Sequence, residues 1–220
     1  MGARPAIRLL PAVLLAFAIV AACEPIGSAA TPTLAPGATP GPTAMQVWPR
    51  PADTLAKTSA AGLVPETVEH LQNHVHAHLD VFLDGVPVVV PAGIGINIDD
   101  PGVKSGPDGR GGMSYGGIAG CAQPCISPLH THDSTGVLHT ESASADLNNL
   151  GQFFDEWGVR LSSTCVGEYC SPAKSIAIYI DGAAYTGNPR EIQLADQREI
   201  AIVIGTPPAV IPKTGDFSGA

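Results

Sequence analysis

The most regular pattern in this chain is a strict alternation of apolar and polar residues over positions 74–83. A period of two predicts a β-strand with one face in a hydrophobic core and the other face polar. Asp84-Gly85 follows as a hairpin turn signal, and residues 86–90 are predicted to return as the partner strand. The apolar face of the first strand consists of Val75, Ala77, Leu79, Val81 and Leu83.

A second hairpin is predicted where residues 129–132 and 137–141 flank the turn-forming residues 133–136. A helix capped by Ser144 or Asp146 is expected to run to Trp157, because its apolar residues form one stripe. Further strands are predicted at 175–180 and 199–204. Residues 91–120 are predicted to be a glycine-rich loop, and a short helix is expected at 51–61.

This order of elements predicts an α+β fold with a single globular domain over residues 47–205. We expect a mainly antiparallel sheet built from hairpins, with one main helix packed on it, and a β-grasp-like core in particular. Asp155 and Glu156 point to different faces of the main helix, and we expect both carboxylates to be solvated.

The N-terminus has the pattern of an export signal. Arg4 and Arg8 precede an apolar run that is too short to span a bilayer and ends, after small residues, at Cys23. This ending resembles the bacterial lipobox, whose cysteine is lipid-modified; the alternative is an ordinary signal peptide cut near Ala22. We therefore expect a lipoprotein signal peptide at 1–22, a disordered tether at 23–46 and a loose C-terminal tail at 206–220. The domain would lie outside the cytoplasm, anchored to the cell membrane through lipid on Cys23.

The net charge of the chain limits the kinds of binding partner that we expect. The chain has 11 Lys and Arg against 20 Asp and Glu, a net charge of −9. Removal of residues 1–22 takes away two arginines and no acids, so the mature net charge is 9 − 20 = −11. Such a chain lacks the clustered Lys and Arg that phosphate binding requires, which excludes nucleic acid and favours cations as partners. The sequence identifies no protein partner.

Four cysteines follow Cys23 in the chain. An even number outside the cytoplasm favours two disulfides. Among the three connectivities we favour the local pairs, because each spacing closes a small loop. A thiolate metal site is the alternative, although neither spacing is Cys-x-x-Cys. The favoured pairs are Cys121 with Cys125 and Cys165 with Cys170.

Histidines carry the candidate chemistry, since six of the seven lie in two short segments. Residues i and i+2 of a strand point to the same side, about 6.5–7 Å apart, so paired imidazoles can converge on one ion. If Ser134-Thr135 is a two-residue loop, His130 faces His139; a bulge at Gly136 would move His139 to the other face. His70 lies outside the pattern. The candidate metal ligands are His74, His76, His78, His130, His132, His139 and Glu141.

Imidazole ligands suit zinc and copper, which are the expected ions, and the carboxylate of Glu141 also admits iron or manganese as second choices. The expected function is metal binding or delivery. The alternatives are a metal-dependent enzyme for hydration, hydrolysis or oxygen chemistry, and a metal-free structural or interaction module. Residues 112–116 fit the Gly-x-Ser-x-Gly elbow of serine hydrolases but lack the strand before and the helix after it.

Four segments of the sequence also resemble segments of other proteins. They are HVHAHLDVFLDG at 74–85, ISPLHTHD at 126–133, HTES at 139–142 and LGQFFDEWG at 150–158. Together they resemble a group of uncharacterised secreted or lipid-anchored prokaryotic proteins, over residues 52 to 205. Because that group is uncharacterised, the resemblance implies no particular activity.

Overall fold

The computed structural model describes residues 43–217, so the expected signal peptide and most of the expected tether lie outside the described residues. This part of the chain holds two α-helices, α1 (Thr54–Ala60) and α2 (Leu150–Trp157), and a short 3₁₀ helix (Pro189–Glu191). The strands are β1 (Asn73–Leu83), β2 (Val86–Val88), β3 (Lys104–Pro107), β4 (Met113–Gly116), β5 (Leu129–His130), β6 (Val137–Ser142), β7 (Cys165–Val166), β8 (Tyr169–Cys170), β9 (Ile176–Ile180), β10 (Ala183–Tyr185) and β11 (Glu199–Ile204).

One seven-stranded sheet, in the order β10-β9-β11-β1-β6-β5 with β2 also paired to β1, organises the domain. The long strand β1 is central, because its first half pairs with β6 and its second half with β2, both antiparallel. On its other edge β1 pairs in parallel with β11, which makes the sheet mixed. The predicted α+β fold with a mainly antiparallel sheet is confirmed, whereas the β-grasp-like core stays a prediction.

The main core lies on the apolar face of β1, as the alternation predicts. Ala77, Leu79 and Val81 are almost completely buried there. The other side of this core comes from α2, whose buried side chains include Leu150, Phe153, Phe154 and Trp157. The sheet face that carries the histidines is therefore the one turned away from this helix.

The start of α2 corrects one prediction. The helix begins after Asn149, whose side chain accepts a hydrogen bond from the Gln152 N–H, while the Gln152 side chain accepts one from the Asn149 N–H. This capping box satisfies N–H groups at the helix terminus, so the predicted cap at Ser144 or Asp146 is wrong. The predicted end is confirmed, because Gly158 adopts the left-handed conformation with φ 74°.

Of the two carboxylates of α2 that were predicted to be solvated, Asp155 keeps 39% of its side chain exposed, whereas Glu156 contradicts the prediction. Asp155 forms a bidentate ion pair with Arg190, at 3.0 and 2.6 Å. Glu156 is completely buried, and Thr58 Oγ1 donates to its Oε1 at 2.6 Å. Burial raises the pKa of Glu156 to about 8. At the position of Glu156, α2 is covered by α1.

Residues 91–120, predicted as a glycine-rich loop, contain in addition the antiparallel hairpin of β3 and β4. Beside it lies a second, small core that includes Ile96, Ile118 and Ile126. The sulfurs of Cys121 and Cys125, next to this core, are 2.09 Å apart, and those of Cys165 and Cys170 are 2.19 Å apart. Both favoured local cysteine pairs are thus at disulfide distance.

Both ends of the described chain contact the sheet. Met45 exchanges backbone hydrogen bonds with residues of the β2 segment, slightly before the expected domain boundary at residue 47. After β11, the described part of the expected tail returns over the sheet, where Ile211 packs against Phe82 and Val203. Across residues 43–217, no helix has the length and apolar character needed to cross a membrane.

Candidate metal centre

Three neighbouring strands carry five of the predicted ligands on one face of the sheet, and His132 follows directly after β5. Between β1 and β6, His74 lies opposite Glu141 and His76 lies opposite His139. Between β5 and β6, His130 lies opposite His139, which confirms the register expected for a two-residue loop. The bulged register, which would have moved His139 to the core face, is excluded.

The rings of His130 and His132 are oriented by backbone carbonyls. His130 Nδ1 donates a hydrogen bond to the Ser127 carbonyl at 2.9 Å, and His132 Nδ1 donates one to the Tyr115 carbonyl. A carbonyl only accepts, so each neutral ring carries its proton on Nδ1 and its lone pair on Nε2. The two Nε2 atoms are 3.3 Å apart. Two ligands of one tetrahedral zinc ion stand about 3.3 Å apart, so the two lone pairs have the spacing of a metal site.

Two residues of β6 complete what we call the inner group: His130, His132, His139 and Glu141. One donor atom from each lies within 4.8 Å of all the others. Glu141 Oε1 is 3.5 Å from His139 Nδ1 and 4.0 Å from His132 Nε2, and Glu141 Oε2 is 4.0 Å from His130 Nε2. The inner group therefore offers three imidazoles and one carboxylate around a common point.

A second set of donors, which we call the outer group, consists of His74, His76, His139 and Glu141. Its donor atoms also lie within 4.8 Å of one another. His74 Nε2 is 3.2 Å from Glu141 Oε1, and the ring centroids of His76 and His139 are 4.6 Å apart. His74 has 38% of its side chain exposed, against 5% for Glu141, so the outer group opens to solvent.

Burial sets the protonation of these side chains. It lowers the pKa of His130 far below its ordinary value and that of His139 to about 4, with the neighbouring His132 adding to both effects. Neutral imidazole is the form that ligates metals. Burial alone would raise the pKa of Glu141, but the imidazoles of His132 and His139, with ring nitrogens 4.0 and 3.5 Å from Oε1, hold it well below its usual range. For His132, burial is outweighed by the nearby Glu141 carboxylate and by the hydrogen bond to the Tyr115 carbonyl, which raise its pKa.

His78, a predicted ligand, is not brought together with the other six. Its Nδ1 is 2.8 Å from Glu199 Oε2, and its Nε2 donates to the Thr135 carbonyl at 3.0 Å, so both ring nitrogens are engaged. Its neighbour on β6 is Val137, which offers no donor atom. With Asp80 and Glu199, His78 forms a separate acidic group. His70, which the sequence pattern left out, pairs instead with Glu66 at 3.3 Å.

Two features near the inner group were not predicted from the sequence. Glu69 is half-buried, and its pKa is raised by burial and by the charge of Glu141, while His132 lowers it. A shallow cleft of about 390 Å³ along β3 and β4 reaches His132 and is also lined by Lys104 and Ser114. Glu69 lies only five residues before His74 but outside the alternating strand pattern, and the cleft is formed by a hairpin that the sequence did not predict.

The residues of this face could hold a metal ion, as the geometry of their donor atoms shows. The resemblance to uncharacterised secreted or lipid-anchored proteins stays a prediction. The chain matches no protein-family model, no curated protein and no solved structure.

Proposed function

We propose that this protein is a lipid-anchored, extracytoplasmic metal-binding protein that holds zinc or copper in the inner group, for binding or delivery of the ion. The observation that carries the proposal is the 3.3 Å approach of His130 Nε2 to His132 Nε2. Because both Nδ1 N–H groups are tied to carbonyls, neither neutral ring can donate to the other. When both rings are neutral the two lone pairs repel each other, and a metal ion between them would make the contact attractive.

Unpaired buried atoms support the same proposal. Among residues 43–217, His139 Nδ1 and Glu141 Oε2 are buried and have no hydrogen-bond partner. Buried polar atoms nearly always find a partner, and an exception calls for an explanation such as a bound ion. Both atoms belong to the inner group, so an ion held there would supply the missing interaction.

The donor types support zinc or copper as the ion. Imidazole nitrogen is a good ligand for both, and one added carboxylate is compatible with both, whereas iron and manganese are the second choices. A location outside the cytoplasm is supported by the lipobox-like ending at Cys23 and by two cysteine pairs at disulfide distance, since disulfides persist in oxidising compartments.

Metal analysis of the purified protein tests the proposal. The full chain would be prepared in detergent without a polyhistidine tag, equilibrated with zinc or copper(II), desalted and analysed by mass spectrometry of the elements. We expect stoichiometric metal in the wild type. The double variant His130→Ala/His132→Ala should lose at least about 100-fold in affinity, more than the loss of a supporting residue around a metal ligand costs.

The matched control is His70→Ala, which removes a histidine that lies outside both groups. It should bind metal as the wild type does. A wild type that is folded by circular dichroism but retains no metal would contradict the proposal and favour a metal-free structural module. Anchoring is tested separately: Cys23→Ala should move the protein from the membrane fraction to the soluble fraction.

A metal-dependent enzyme is the second candidate, and the cleft beside His132 is the observation that favours it. The cleft offers room for a small molecule next to the ion, with Lys104 on its wall. Glu69 adds a carboxylate near His132 that could accept a proton from metal-bound water. Azide added to the copper(II) form distinguishes the two candidates. A shift of the visible spectrum shows an open coordination position, as an enzyme needs, and an unchanged spectrum favours the binder.

A further inference from the structure

The donors on the histidine face are too widely spread for a single ion. Ligands at about 2.0–2.2 Å from one ion lie no more than about 4.4 Å apart. The inner and outer groups each approach this limit, but the six residues do not form one such set. The two groups share only His139 and Glu141, so an ion in the inner group leaves His74 and His76 unused.

We propose that the centre binds two metal ions bridged by the carboxylate of Glu141, one in the inner group and one in the outer group. This inference rests on the proposed function and deepens it. The carboxylate has the required position, because Oε1 lies 3.2 Å from His74 Nε2 while Oε2 is turned towards His130 Nε2 at 4.0 Å. Carboxylate-bridged ions stand about 3.5–4 Å apart in two-metal sites.

His76 provides the independent observation for the second ion. Its Nε2 is buried and has no hydrogen-bond partner within the described part of the chain. An ion in the inner group satisfies His139 and Glu141 but does not reach His76, which belongs to the outer group alone. A second ion would therefore bind the unpaired Nε2 of His76, whereas an ion in the inner group would leave it without a partner.

The two positions differ in burial, and this predicts different affinities. Within the inner group, His130 is fully buried, and carbonyls fix the rings of His130 and His132. The outer group includes His74, whose side chain is 38% exposed. The inner ion is held tightly, because its ligands are already oriented, and the outer ion exchanges readily with solvent. The outer position is then the one from which metal enters and leaves.

A calorimetric titration of the full, untagged chain with zinc tests the inference. We expect two ions per chain in two steps, the second at least about 10-fold weaker than the first. His74→Ala, which alters an exposed residue and so preserves the fold, should weaken only the second step. His74→Ala/His76→Ala should leave one tight ion, and His70→Ala should keep both.

Copper(II) gives a second readout. Two copper(II) ions bridged by one carboxylate couple magnetically, so the paramagnetic resonance signal per copper should fall when the second equivalent is added. If the folded wild type saturates at one ion per chain, the inference of a second ion is overturned and the proposed function stands. Two ions in the His74→Ala/His76→Ala variant would also overturn it, whereas the absence of any bound ion would overturn both proposals.

Discussion

Replacement of Glu156 by Gln should stabilise the protein at neutral and alkaline pH. Glu156 lies under α1 with Thr58 as its partner, and its Oε2 has no hydrogen-bond partner among the residues described. Burial raises its pKa to about 8 from an ordinary value of 4.5. The folded state therefore keeps a proton that the unfolded chain releases, and stability falls as the pH rises from 4.5 to 8.

The size of the effect follows from the two pKa values. Between pH 5 and pH 8, a shift of this size destabilises the folded state by about 3–4 kcal/mol, at about 1.4 kcal/mol for each pH unit in which the proton difference is full. Gln keeps the shape and the acceptor oxygen for Thr58 but does not ionise. The stability of Glu156→Gln relative to the wild type should therefore rise by about that amount over this pH range.

Urea unfolding of the metal-free protein at pH 5, 6, 7 and 8 measures this difference. The two proteins differ only at residue 156, so subtraction of the two curves of stability against pH isolates Glu156. Glu191→Gln, which alters an exposed carboxylate, is the matched control and should give a curve parallel to that of the wild type. A difference between Glu156→Gln and wild type that is the same at pH 5 and pH 8 would refute the reasoning.

Two further predictions concern the helix and the centre. Asn149→Ala removes the capping box of α2 and should lower the free energy of unfolding by about 1 kcal/mol in urea, whereas Ser144→Ala, at the wrongly predicted cap, should change it by less than about 0.5 kcal/mol. Zinc at about 1,000 times its dissociation constant should raise the free energy of unfolding by about 4 kcal/mol, and EDTA should reverse the gain. With zinc, the melting temperature should rise much less in His130→Ala/His132→Ala, which keeps only the outer group, than in His70→Ala, which keeps both groups.

The parts of this fold that the sequence predicts are those fixed by local physics. Alternation along β1 determines which face enters the core, and the Asp84-Gly85 turn determines where the strand returns, with φ of 50° and 82°. The register of His130 opposite His139 follows in the same way from the number of residues in a tight turn. The sequence could therefore predict that the candidate ligands of β5 and β6 lie close together.

The errors come from contacts between segments that are distant along the chain. Glu156 looked solvated because nothing near it in the sequence shows that α1 covers it. Such contacts also decide which candidate ligands lie together, a question that the sequence left open: His78 lies opposite Val137 and its ring turns to Glu199 of β11. The hairpin of β3 and β4 is rich in Gly and Ser, so its composition indicated a loop, and its pairing emerges only in the folded chain.

The hairpin of β3 and β4 also contacts one of the candidate metal ligands, His132. His130 is held by the Ser127 carbonyl, and the Ser127 N–H is bonded to Gly95 at 2.7 Å. His132 instead exchanges hydrogen bonds with Tyr115 of β4, and a Cβ at Gly116 would lie only 2.9 Å from its ring. An ion between the two rings therefore ties the covering hairpin to the sheet. Metal should slow hydrogen exchange at 104–116 more than in β9, and equal slowing in both segments would contradict this coupling.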